Sequence, residues 1–61
     1  MQNITQIELQ HLKHLISCQS TLYEKLINYA DYAVDPQIKQ AFSKAAQNTL
    51  TAKQKLLTFL N

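Results

Sequence analysis

Apolar residues return every three or four positions along most of this chain, with polar ones filling the gaps. Between Leu9 and Ala33 the apolar set is Leu9, Leu12, Leu15, Ile16, Leu22, Tyr23, Leu26, Ile27, Ala30 and Ala33. At about 100° per residue these fall on one broad helical face, with Lys13, Glu24, Lys25 and Asp31 outside it. A second set follows: Ile38, Ala41, Phe42, Ala45, Ala46, Thr49, Ala52, Leu56, Leu57 and Leu60. Its opposite face carries Gln40, Ser43, Lys44, Gln47, Gln54, Lys55 and Thr58. The alanines thin this second face, so a neighbouring helix can come close.

The punctuation fits two helices. Thr5-Gln6-Ile7-Glu8 matches a capping box, in which Thr5 accepts from the N–H of Glu8 and Glu8 reaches back to the N–H of Thr5. Ile4 and Leu9 stand at the positions of the accompanying hydrophobic staple. The chain has no glycine and one proline. Pro36 suits the first position of a helix, and the residue before a proline is pushed out of the helical region. Asp35 stands there and can cap the helix that follows. The sequence therefore predicts helix one over about 6–33, a bend at 34–35 and helix two over about 36–60. The fold class is all-α, a single antiparallel helical hairpin.

With the bend near Val34–Asp35, Tyr23 and Leu26 face Ala46 and Ser43, large against small. Leu9 and Leu12 face Leu60 and Leu57. Gln19 sits in the middle of the apolar face, level with Thr49–Leu50. A buried amide costs unless it is hydrogen-bonded. It serves as a structural polar layer, bonded to Thr49 or to its own symmetry mate, or else it faces a ligand.

Two helices share one seam and leave the far half of each broad face wet. Two hairpins packed face to face cover both, so the expected assembly is a homodimeric four-helix bundle with crossing angles of roughly 20°. The expected self-association positions are Leu9, Leu12, Ile16, Gln19, Tyr23, Leu26, Ala30, Phe42, Ala45, Thr49, Leu56 and Leu60, with Asp35 and Pro36 forming the turn.

Composition narrows the function. Sixty-one residues make one small domain. The net charge is +2, divided as −2 over residues 1–35 and +4 over residues 36–61, so one helix is mildly acidic and the other basic. The six lysines scatter around the helices and arginine is absent, which argues against nucleic-acid recognition. The N-terminus lacks the basic and apolar regions of a signal peptide. No apolar run approaches the roughly 20 residues needed to span a bilayer. One cysteine makes no internal disulfide. A soluble protein of the cytoplasm, with no membrane partner, is the expectation.

The chemistry is sparse. Without glycine there is no usual phosphate-cradling loop or nucleophile elbow. The one constellation with ligand spacing is Glu8-x-x-His11-x-x-His14-x-x-x-Cys18. Glu-x-x-His is half of the ligand set of di-iron bundles, and His14 and Cys18 lie one turn apart, within zinc-ligand reach. Helix two has no Asp or Glu, so it cannot supply its share of carboxylates. Free surface histidines account for the pattern better than a metal. No cofactor and no catalytic residue is expected.

The pattern Glu8-Leu9…His11-Leu12…Leu15-Ile16…Leu22…Lys25…Tyr29-Ala30…Asp35-Pro36…Ile38-Lys39…Phe42…Ala46…Leu56-Leu57…Leu60 resembles the small spore coat protein F-like proteins of spore-forming Gram-positive bacteria. The likeness covers nearly the whole chain, and its most specific part is the segment around the bend. The chain departs from it in lacking a histidine near Ala52–Lys53. The resemblance implies a ferritin-like half-bundle without metal ligands, a non-enzymatic structural role, association with other coat proteins and a place in the spore coat. The other function the residues leave open is a small binding or regulatory module that captures a partner helix or an apolar ligand.

Overall fold

The computed structural model describes residues 4–60; the polar lead before Ile4 and Asn61 lie outside it. Helix α1 runs Gln6–Tyr32 and helix α2 runs Pro36–Leu57, and a 3-10 turn over Thr58–Leu60 closes the chain. Among the described residues there is no strand. The hairpin class and the two-helix division expected from the sequence are therefore what the chain forms.

Each helix starts where its capping residues put it. Thr5 has an extended backbone, φ −77° and ψ 166°. Its hydroxyl accepts from the Glu8 N–H at 3.1 Å, and Glu8 Oε1 accepts from the Thr5 N–H at 2.9 Å. Asp35, φ −72° and ψ 123°, accepts from the Gln37 N–H at 2.8 Å, with Pro36 as the first helical residue. Each carboxylate or hydroxyl satisfies N–H groups that have no partner inside the helix.

The ends differ slightly from expectation. α1 stops at Tyr32, one residue early, because Ala33 already has an extended backbone at φ −67° and ψ 133°. No described residue has a positive φ, so the bend is made of extended residues rather than a left-handed cap. The last turn of α2 tightens at Thr58, whose hydroxyl donates to the Lys55 carbonyl at 2.6 Å. That local bond competes with the ordinary helical ladder.

The helices pack side by side along their length. Tyr29 and Phe42 stack near the bend with ring centroids 5.5 Å apart. At the open end Ile4, Glu8 and Leu12 share a recess with Leu56 and Phe59. Ile4 closes against this end of the hairpin. In the middle, Ala46 is fully buried and Ala30 nearly so, at 0% and 6% exposure. Small side chains there let the backbones approach. Every side-chain hydrogen bond among the described residues spans four positions or fewer. Apolar packing, not polar bridging, holds one helix to the other.

The product is a rod, 46 × 14 × 11 Å, with a radius of gyration of 14.3 Å. A compact domain of this length has about 10.5 Å.

Candidate functional site

The side chains of chemical interest are dispersed. Glu8 is occupied with the α1 cap, and its hydrogen bonds to the Thr5 backbone and side chain hold its carboxyl below the usual glutamate range. His11 is exposed one turn on. His14 and Cys18 meet on the outer surface of α1, Nε2 to Sγ 3.6 Å, both exposed. Among the described residues no three His, Cys, Asp or Glu side chains group as metal ligands. The recesses in the surface are shallow and open to water.

The twelve positions expected to associate with a second copy take a different first partner. Leu9, Leu12, Ile16, Gln19, Tyr23 and Leu26 are half-buried, and Ala30 is buried. Phe42, Ala45, Leu56 and Leu60 are half-buried, and Thr49 is buried. All lie along the seam between α1 and α2. Thr49 donates to the Ala45 carbonyl of its own helix at 2.9 Å, and no bond joins it to Gln19 among the described residues, so the expected Gln19–Thr49 layer does not form. The Gln19 side-chain amide makes no hydrogen bond among the described residues. No side-chain nitrogen or oxygen there is buried without a partner, so its amide still meets water.

What remains uncovered is a stripe beside the seam. Leu15, Leu22 and Tyr29 are 48%, 45% and 49% exposed, seven residues apart. Ile38 on α2 and Phe59 in the 3-10 turn that follows it are large and exposed, and Ala41 of α2 is exposed. In an antiparallel hairpin, flanks turned the same way about each helix axis emerge on the same side. The recess joining Glu8 to Phe59 is the end of that side. Glu8 stands seven residues before Leu15 and begins the stripe. The opposite side is more polar. It carries Lys13, Ser17, Glu24 and Asp31 of α1 with Lys39, Ser43 and Gln47 of α2, all exposed.

The hairpin is thus two-faced. Its uncovered face has an apolar centre, one carboxylate at the open end and a half-buried amide at mid-length. A sequence reading alone misses the stripe as a separate feature. Leu15 and Leu22 fall within the same broad apolar arc as Leu12, Ile16 and Tyr23, and only the position of α2 divides them.

Searches among protein families, curated proteins and solved structures give no match to this chain. No described helix is long and apolar enough to cross a membrane.

Proposed function

We propose that this protein is a non-enzymatic structural element whose hairpin is half of a homodimeric four-helix bundle. One observation carries the reading. Among the described residues no large side chain is fully buried, and five of the nine exposed large apolar side chains, Leu15, Leu22, Tyr29, Ile38 and Phe59, stand on one side of the seam. A hairpin in this state has its hydrophobic material beside the seam rather than in a core, and a second copy supplies the missing side.

The area agrees. The chain exposes 4890 Å², and a folded monomer of 7.0 kDa exposes about 4,000 Å². The excess of about 900 Å² is close to the roughly 800 Å² each partner contributes to a standard interface. Four helices of this length pack around a central line with the seam residues inside and the polar sides out. The outer surface is then largely Gln, Asn, Ser, Thr and scattered lysine, suited to packing within a larger array. The resemblance to spore coat F-like proteins gives that array its setting: the bundle takes its place among other coat proteins, after synthesis in the cytoplasm.

Sedimentation equilibrium over a wide concentration range, with zinc and with chelator, tests the proposal. The expected result is a dimer indifferent to both additions. A folded monomer at high concentration overturns it. A dimer that dissociates in chelator transfers the function to metal binding on α1. A dye for exposed apolar surface distinguishes the binding-module alternative: it should stay dark with the structural dimer and light up with a module whose apolar face remains open.

A further inference from the structure

Two hairpins can meet face to face about either of two axes. An axis along the helices puts both bends at one end and sets α1 over α2 of the partner. An axis across the helices puts the bends at opposite ends and sets α1 over α1, and α2 over α2, antiparallel. We infer that the axis runs across the helices and meets α1 midway between Leu15 and Leu22, beside Cys18 and Gln19. This rests on the homodimer proposed above and specifies its geometry.

The stripe on α1 reads Glu8, Leu15, Leu22, Tyr29, one residue per heptad. A seven-residue repeat stays on a partner helix when the pair supercoils left-handedly. Turned about its centre, the stripe is its own complement. Leu15 meets Leu22 of the second copy, and Glu8 meets Tyr29. Tyr29 packs its ring on Phe42 and is half exposed, which leaves its hydroxyl as a donor for a carboxylate. Glu8 uses Oε1 for the α1 cap, and its second oxygen has no partner among the described residues.

The same axis suits α2. At the corresponding level it brings Ala45 of one copy to Leu56 of the other, and Ala41 to Phe59. Small residues in the first half of α2 receive large residues from the second half, so that the surfaces interdigitate. The axis also passes at the level of Gln19, whose half-buried amide has no hydrogen bond among the described residues. An amide carries both donor and acceptor, so two glutamines across the axis satisfy each other.

The other axis fails at one end. It sets Glu8 against Phe59 and Leu60 of the partner, beside the carbonyl end of the last turn. A carboxylate that already lies beside Leu56 and Phe59 of its own hairpin gains there only more apolar carbon and a second negative helix end, and no donor for its second oxygen. Neither axis avoids like charges at the rim. Across the helices, exposed Lys44 and Lys55 of α2 come near one another. Long side chains turn to water at little cost, and the consequence is that added salt tightens this dimer.

Cys18 lies on the edge of the α1 pair beside the axis. With helices about 9 Å apart, the two Cys18 Cα atoms come within roughly 7 Å, near the upper limit for direct bridging. With the bends at one end, the two cysteines stand on opposite outer edges of the bundle. The experiment is cross-linking of the native protein through Cys18 with a short bis-maleimide. Its counterpart uses a Cys18→Ser, Val34→Cys variant, in which the only thiol is at the exposed bend. Efficient cross-linking through Cys18 and none through position 34 is expected. The reverse pattern overturns the axis and leaves the homodimer standing. No cross-link at either position in a protein that sediments as a dimer overturns the chosen face. No cross-link in a monomer overturns the homodimer itself. A double-mutant cycle adds an independent reading: Tyr29→Phe should weaken dimerisation about fivefold in the native chain, and have no further effect in a Glu8→Ala background, which leaves neither an acceptor nor an amide donor opposite the phenol. Full additivity of the two substitutions removes the Glu8–Tyr29 pair.

Discussion

The Thr5 hydroxyl and the Glu8 carboxylate decide where α1 begins, and both act on backbone groups that would otherwise be orphaned. Thr5→Ala removes one acceptor and should cost about 1 kcal/mol of stability in urea unfolding. Glu8 adds a pH dependence. Its carboxyl is held below its ordinary value in the folded chain, so the folded state binds fewer protons than the unfolded state in that window. The contribution is complete above the ordinary glutamate value and is lost as pH falls through the lowered one. Melting temperature should decline with acid over that window. Glu8→Gln, which keeps the capping geometry, should flatten this part of the profile. An unchanged profile would mean that the cap does not distinguish the charged form. The other carboxylate with a defined structural task, Asp35, fixes the start of α2 through the Gln37 N–H. Both residues are readable in the sequence because capping depends on residue type at fixed offsets of a few positions.

At the scale of the element, the same legibility holds for each helix and weakens for the pair. The spacing of apolar residues and the Asp35-Pro36 break give two helices within a residue of their observed bounds except at the end of α2, where the last three residues expected to be helical form a 3-10 turn. What the pattern leaves open is how each broad apolar arc is divided. Leu12 and Ile16 lie half-buried in the seam, while Leu15 and Leu22 on the same arc remain exposed. Helical spacing gives an angle about one axis, and the direction of the neighbouring helix is a property of two. The fate of Gln19 shows the same limit: its level beside Thr49 was readable, but Thr49 spends its hydroxyl on Ala45. The seam does declare its closest point through its alanines. Ala46 has no exposed surface, so Ala46→Leu has to push the helices apart, at a cost of about 1–3 kcal/mol. Ser43→Ala on the exposed outer side should stay within about 0.5 kcal/mol. Denaturant unfolding of both variants at one protein concentration checks the pair. Equal effects would mean that the two helices do not meet closely at Ala46.

For the whole molecule, the deciding property is an elongated shape with five of its nine exposed large apolar side chains along one side. A hairpin 46 Å long with no fully buried large side chain among its described residues draws little stability from its own interior. If a second copy supplies the rest, folding and association are one equilibrium, and the melting temperature depends on protein concentration. Circular dichroism melts over a hundredfold range of concentration should therefore rise steadily with concentration. Leu22 allows the cause to be isolated. It is 45% exposed in the single hairpin, so Leu22→Lys changes a lone hairpin by no more than about 0.5 kcal/mol, as surface substitutions do. In the proposed dimer the same lysine would face Leu15 of the second copy, and the two-fold axis would repeat it at a second place in one interface. The variant should then be largely monomeric, with lower helicity at micromolar concentration and a melt that no longer moves with concentration. A concentration-independent melt of the native chain, with Leu22→Lys matching it, would show that the hairpin is stable alone and that its uncovered side is not the place where two copies meet.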